Sequence, residues 1–172
     1  MASEVRLVRP WPSHAEQWLA WRNEPQGRRD NPYDDADLDT LRLRLAEDRT
    51  DVEDQGATQF RWMVEAGGQL VGTVSLHAIN RRMGTAEVGY LIGDHFAGRG
   101  LATLAVRQLV DLAFFRARLR RLAALIAAQN VASQRVIEKV GFVREGVLRQ
   151  HFLIEGRPVD EVAYGLLCTE WR

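Results

Sequence analysis

The sequence predicts one α/β domain built on a mixed β-sheet, and three observations carry that prediction. A chain of 172 residues that is 46% hydrophobic and 27% charged suits a single buried core, so one domain is expected over residues 1–172. Period-two segments and period-3.6 segments follow one another in the order β-α-α-β-β-β-α-β-α-β-β. The three consecutive strands break the strict alternation of a doubly wound fold and require an antiparallel portion in the sheet.

EVRLVRP (4–10) alternates and stops at proline, which predicts a first strand. SHAEQWLAWRNEP is expected to be a helix with Ser13 as its N-cap, ending before Pro25. In DDADLDTLRLRLAED, Leu38, Leu41 and Leu45 fall at helical spacing behind aspartates that suit a helix N-terminus. Residues 50–58 read as loop. QFRWMVEA and LVGTVSLHAI flank Gly67–Gly68–Gln69, a hairpin signature, and TAEVGYLI adds a third strand. GRGLATLAVRQLVDLAFFRAR is predicted helical, with Leu101, Leu104, Ala105, Leu109, Leu112 and Ala113 on its apolar stripe. RLAALIAAQ is a continuous apolar run of strand length, expected to be covered on both faces. VASQRVIEKV predicts a short helix that ends at Gly141. GFVREGVLRQHFLI and VDEVAYGLLC then close the chain as a hairpin around Glu155–Gly156–Arg157.

Composition excludes several classes of function. The 23 basic and 23 acidic residues balance, which argues against a nucleic-acid partner. A lone cysteine, Cys168, excludes a disulfide framework and a cysteine-rich metal site, so no metal is expected. MASEVRLVRPW lacks an apolar signal region, and no stretch approaches the ~18 apolar residues of a membrane span. A cytoplasmic protein without a membrane partner is the expectation. The five tryptophans raise a pure interaction domain as a rival, but the spacing of Trp18 and Trp21 fits a helix face used for core or for a homodimer contact.

The chemistry is concentrated in AEVGYLIGDHFAGRGLATLAVRQL. A strand runs into Gly98–Arg99–Gly100, and a helix opens at Leu101. Backbone N–H groups in such a loop converge, and the helix N-terminus adds partial positive charge, so an anion is the expected ligand. Arg99 can add a guanidinium and Thr103 a hydroxyl. The alternative is a plain tight turn in which glycine serves only positive φ. A P-loop is excluded because no Lys-Ser or Lys-Thr follows the glycines. A dinucleotide fold is set aside because no carboxylate occurs between Asp111 and Glu138 to hold a ribose.

With these motifs in hand, the sequence resembles the GNAT N-acetyltransferase superfamily, in particular the branch that acetylates ribosomal-protein N-termini. GTVSLHAIN, AEVGYLI, HFAGRGLAT, AAQNVASQRVIEKVGF and VREGVLRQ…DEVAYGLL occur in the family's order. The loop departs from the family pattern at His95 only. The resemblance implies a sheet whose strand ending in Tyr90, Leu91 and Ile92 splays from the strand near Leu125 and Ile126, with Gly89 permitting a bulge unless it serves simple close packing. It implies acetyl-CoA as acetyl donor, its pantetheine arm in the gap and its diphosphate on Gly98, Arg99, Gly100, Leu101, Ala102 and Thr103. Asn130 would bind the pantetheine arm, while its position also fits a helix N-cap. Ser133 would protonate the departing thiolate, since the tyrosine that other branches use is replaced by Ile137. A backbone amide at Leu91 or Ile92 would hold the oxyanion. Glu87 is the first candidate base, ahead of His77 and His151; a related carboxylate of some members falls near Phe152.

The implied reaction is direct acetyl transfer to a primary amine, a protein N-terminus or a small molecule such as an antibiotic amine. A non-catalytic acyl-CoA-binding module is the alternative. Between Asp30 and Asp54, ten acidic residues face three arginines, a net −7, so a cationic amine drawn in by that negative field is a further expectation.

Overall fold

The computed structural model describes residues 4–172; residues 1–3 of the expected domain lie outside the described part. In chain order the elements are β1 (Val5–Val8), α1 (Ala15–Asn23), α2 (Pro25–Asp30), α3 (Leu38–Glu47), β2 (Phe60–Ala66), β3 (Gln69–Asn80) and β4 (Thr85–Ile92). They continue with α4 (Leu101–Asp111), β5 (Arg121–Ala127), α5 (Val131–Val140), β6 (Val143–Ile154) and β7 (Arg157–Leu167). Among the described residues the seven strands form one sheet in the order β1-β2-β3-β4-β5-β7-β6. Each neighbouring pair is antiparallel except β4 and β5.

The sheet is covered on one face by α4 and α5 and on the other by α1 and α3. Leu101, Ala105, Leu109 and Ile137 pack on Val74, Val88, Leu122, Tyr164 and their neighbours in the larger core. A smaller core joins Trp18 and Trp21 of α1 to Leu41 and Leu45 of α3 and Met63 of β2. Trp18 and Trp21 are therefore core residues of this fold, whereas Trp11 is exposed. Gly93 lets Trp21 lie against the chain after β4: a Cβ there would fall 2.5 Å from the indole nitrogen.

Several expectations are corrected. Residues 25–30 form the extra helix α2, because proline at a first helical position loses no hydrogen bond. Ser13 is not an N-cap; it sits inside a 3₁₀ turn, Pro12–His14, that leads into α1. Leu104 is 39% exposed, so the stripe of α4 runs through Leu101, Ala105 and Leu109, with Val106 and Val110 filling the buried side. β5 is covered fully on one face only, with Leu122, Ala124 and Ile126 in the core while Arg121, Ala123 and Leu125 are half-buried. Glu155 and Gly156 alone make the last turn, both with positive φ, and Arg157 already belongs to β7.

The parallel pair positions the site. β4 and β5 are in register at three positions, Thr85 with Arg121, Ala86 with Leu122 and Glu87 with Ala123, and then part. No bulge forms at Gly89, which pairs in register with Ser75; the irregularity lies between His77 and Asn80, where Ala78 has φ 48°. Gly89 serves close packing instead, since a Cβ there would lie 2.9 Å from Ser75 Oγ.

Candidate active site

Past Glu87 the backbone of β4 has no strand partner on its β5 side, and two cavities open along the gap. One, about 310 Å³, runs from Tyr90 and Ile92 along the Gly98–Thr103 loop to α5. The other, about 370 Å³, lies on the face shared with α1 and is floored by Ser75, His77, Glu87 and Gly89. They meet at Asn31, Tyr90, Leu91, Asn130 and Ser133, so the structure brings the expected pantetheine and thiolate residues to one junction.

At the loop, Gly98 and Gly100 have φ of 74° and 75°, a backbone that disfavours side chains. No heavy atom lies within 4 Å of where their Cβ atoms would stand. Gly100 is also the N-cap of α4, and no side chain caps that helix. The N–H groups of its first turn therefore lack protein acceptors among the described side chains, which leaves them to an anion. Leu101, Ala102 and Thr103 line the cavity at this point. The Arg99 guanidinium folds back onto the loop, donating to the His95 carbonyl at 3.2 Å and lying 5.8 Å over the Phe96 ring. Arg135 and Lys139, one turn apart on α5, also line this cavity; sequence reasoning missed them, although their i, i+4 spacing behind Asn130 was visible. An acyl-CoA fits this part of the molecule: an uncapped helix start, an open glycine cradle and two cations for phosphate, beside a gap lined by backbone.

α5 begins differently. Asn130 is buried and its Oδ1 accepts from the Ser133 N–H at 3.1 Å, so it is an N-cap that also lines both cavities. Ser133 is half-buried one turn on. The Tyr90 hydroxyl crosses the gap and donates to the Ser133 carbonyl at 2.9 Å, tying β4 to α5. Burial pushes that hydroxyl well above the usual tyrosine range, so it remains a neutral donor. Backbone direction separates the two candidate amides. The Gly93 N–H bonds to Val71 on β3 at 2.9 Å, and alternation along the strand then turns Leu91 toward β3 and Tyr90 and Ile92 toward the gap.

On the other cavity's floor, Glu87 Oε2 lies 3.5 Å from His77 Nε2. The imidazole holds the Glu87 carboxyl below the usual carboxylate range, against the upward push of partial burial. Glu161 of β7 was missed by sequence reasoning. It is buried in the same cavity and contacts His151 Nδ1. Burial raises its pKa, His151 opposes that, and the Glu87 charge adds to it. Two carboxylates with pKa values pushed apart thus share one cavity, the usual arrangement of an acid–base pair. Phe152 lines the cavity as well. A signal for Glu161 existed: Asp160–Glu161 interrupts an otherwise apolar final strand.

Arginines from outside residues 30–54 offset much of the expected negative field. Asp34 is shared by Arg22 at 2.6 Å and Arg44 at 2.5 Å, Asp48 binds Arg61 at 2.8 Å, and Asp30 binds Arg29 at 2.8 Å. Asp39 pairs with Arg42, Asp54 with Arg49 and Glu53 with Arg116, while Asp37 caps α3. Charge counted along a segment missed partners supplied from elsewhere in the fold. Among the described residues no helix is long and apolar enough to cross a membrane, and no cluster of His, Cys, Asp or Glu is set to hold a metal.

Comparison with known proteins agrees with this geometry. Residues 5–143 match the family described as acetyltransferase (GNAT) domain. The chain is 39% identical over 112 residues to YdaF of Bacillus subtilis (strain 168), provisionally named a ribosomal N-acetyltransferase, covering 63% of this chain and 61% of that one. It is 32% identical over 100 residues to the spermidine N(1)-acetyltransferase of Escherichia coli (strain K12), covering 58% and 54%. The matched stretch thus spans between half and two thirds of these curated relatives. A crystal structure reported as "Probable acetyltransferase" superposes with TM-score 0.85 at 30% identity, covering 97% of this chain and 94% of that one. The chain belongs to the GNAT acetyltransferase family.

Proposed function

We propose that the protein moves an acetyl group from acetyl-CoA directly to a primary amine, with both substrates bound. The observation that carries this reading is the parting of β4 from β5 after three paired positions, which joins a phosphate-binding cavity to an acid–base cavity at Tyr90 and Ser133. The donor supplies an activated thioester carbonyl; everything else is done by the chain. Gly98, Gly100 and the first turn of α4 hold the diphosphate, with Arg99, Arg135 and Lys139 adding positive charge. The N–H of Ile92 receives the carbonyl oxygen as charge develops on it. Glu87, through water, takes the proton that makes the amine a nucleophile, and Glu161 stands beside it as the second carboxylate. The amine nitrogen forms its bond to the carbonyl carbon, the carbon–sulfur bond breaks, the Ser133 hydroxyl gives its proton to the sulfur, and the second proton shed by the nitrogen restores that hydroxyl. The names of the two relatives, one ribosomal and one for spermidine, support an amine as the acceptor class.

Release of thiol from acetyl-CoA across a panel of amines tests the reading. Ser133→Ala should lower kcat by ~10²-fold and leave acetyl-CoA affinity nearly unchanged. Its backbone N–H still bonds Asn130, so the fold is retained. Turnover near wild type would remove Ser133 from the reaction.

A further inference from the structure

The acceptor cavity has two poles. Glu87 and Glu161 stand at one, beside the junction with the gap. At the other, Arg22, Arg44 and Arg61 line the wall made by α1, α3 and β2, with the ring of Tyr33 lying 4.4 Å from the Arg22 guanidinium. These three cations share two carboxylates, Asp34 and Asp48. Arg22 is only 8% exposed at its side chain and Arg61 16%. Arg22 uses Nη2 toward Asp34, and Arg61 uses Nε toward Asp48 while stacking 4.4 Å over Trp18. Among the described residues, Nη1 of Arg22 and both Nη atoms of Arg61 have no hydrogen-bond partner, yet they are not sealed from solvent as buried orphans are. Partly desolvated guanidinium N–H groups with nothing to donate to are a site for a planar oxyanion.

We propose that the acceptor is a primary amine of amino-acid size that also carries a carboxylate, its nitrogen at Glu87 and Glu161 and its carboxylate on Arg22 and Arg61. This rests on the acetyl-transfer reading above. Strand register sets the scale. Arg61 pairs with Ser75, and Ser75 with Gly89, so Arg61 lies two strands from β4 and one period-two step from Glu87 along it. With strands ~4.8 Å apart and ~3.4 Å per residue, their Cα atoms are about 12 Å apart, and both residues line the cavity between. An α-amino acid with one hydrogen bond at each end spans ~8–9 Å. The floor between the poles is Ser75 and Gly89, which leaves room for a small substituent. A polyamine would place a second cation against the arginines, where like charge repels it.

Titration calorimetry on the protein saturated with CoA reads the proposal directly, using L-amino acids, their α-amides and spermidine as probes. The carboxylate forms should bind at least ~10-fold more tightly than the amides, since two charge-assisted bonds are lost with the charge. Arg61→Gln should erase that preference, and Arg61→Lys, which keeps the charge and the stem over Trp18, should retain part of it. A circular-dichroism melt confirms that each variant is folded; if Arg61→Gln does not fold, Arg61→Lys and the acid-to-amide ratio of the wild type decide alone. Equal binding of acids and amides, or tightest binding by spermidine or by peptide N-termini, overturns the proposal. Thiol release is measured on the same samples. Carboxylate-selective binding without turnover would sink the catalytic reading and leave the binding site standing, whereas turnover that favours spermidine would do the reverse.

Discussion

Tyr90→Phe removes a single atom from the strut that closes the gap between β4 and α5. The lost interaction is the 2.9 Å bond from the Tyr90 hydroxyl to the Ser133 carbonyl. That carbonyl lies in the first turn of α5 and also serves the helix ladder, so no buried acceptor is orphaned. The cost is therefore that of an ordinary neutral hydrogen bond, about 1 kcal/mol. For a domain of this length that corresponds to a fall of ~2–4 °C in Tm. The ring still packs against the larger core, so cavity terms do not enter. The functional effect should match the stability effect, because the strut fixes α5, and with it Ser133, at the mouth of the gap. The KM for acetyl-CoA should rise ~3–10-fold, the loss expected when a positioning contact of this strength is removed. Differential scanning calorimetry and thiol-release kinetics on the purified variant give both numbers. An unchanged Tm together with an unchanged KM would refute the claim that the two arms are held across the gap by this bond.

Further outcomes follow from the same geometry. His77→Gln removes the imidazole that holds the Glu87 carboxyl down, so the Glu87 pKa should rise. A base must be deprotonated to act, so the acidic limb of the kcat/KM profile should move to higher pH; a limb that stays in place would mean that Glu87 is not the group being titrated. Stability follows with the matching sign. A lowered carboxylate contributes above its ordinary pKa and loses that contribution as pH falls through the folded value, so the wild type should lose its advantage over His77→Gln only in acid. Asp34→Asn leaves Arg22 without its charged partner and should cost about 2 kcal/mol, or ~4–8 °C in Tm. The dependence of kcat/KM on salt should change little in Asp34→Asn, because Asp34 is already paired with Arg22 and Arg44; loss of most of that slope would restore the steering role that its composition implied.

Local rules made most of the fold legible. Period-two and period-3.6 patterns, the apolar run of β5, Gly67–Gly68 and Gly141 placed eleven of the strands and helices, because each reports on its own neighbourhood. The glycine loop was legible from its own residues and the splay, Asn130 and Ser133 through the resemblance, and the structure sets Asn130 and Ser133 at one junction. What was hidden depended on contacts far apart in sequence. Glu161 reads as one more residue of a closing strand until β7 is laid beside β5 and its side chain meets Glu87's cavity. The acidic segment reads as a field until Arg22, which precedes it, and Arg61, which follows it, turn onto Asp34 and Asp48. Gly89 invited a bulge, but the residue it must accommodate, Ser75, lies on another strand.

We propose that Gly98, Gly100 and the uncapped start of α4 hold the diphosphate of the donor. Titration of acetyl-CoA into wild-type protein and Gly100→Val tests it most directly. At φ 75° a β-branched residue is strained by ~1–2 kcal/mol, yet the protein leaves open space around that position, so the variant should fold with a modestly lower Tm. The prediction is one acetyl-CoA per wild-type chain and an affinity at least ~10²-fold weaker in the folded variant, since the added side chain occupies the anion's approach to the backbone. A folded Gly100→Val protein that binds acetyl-CoA as tightly as wild type would contradict it.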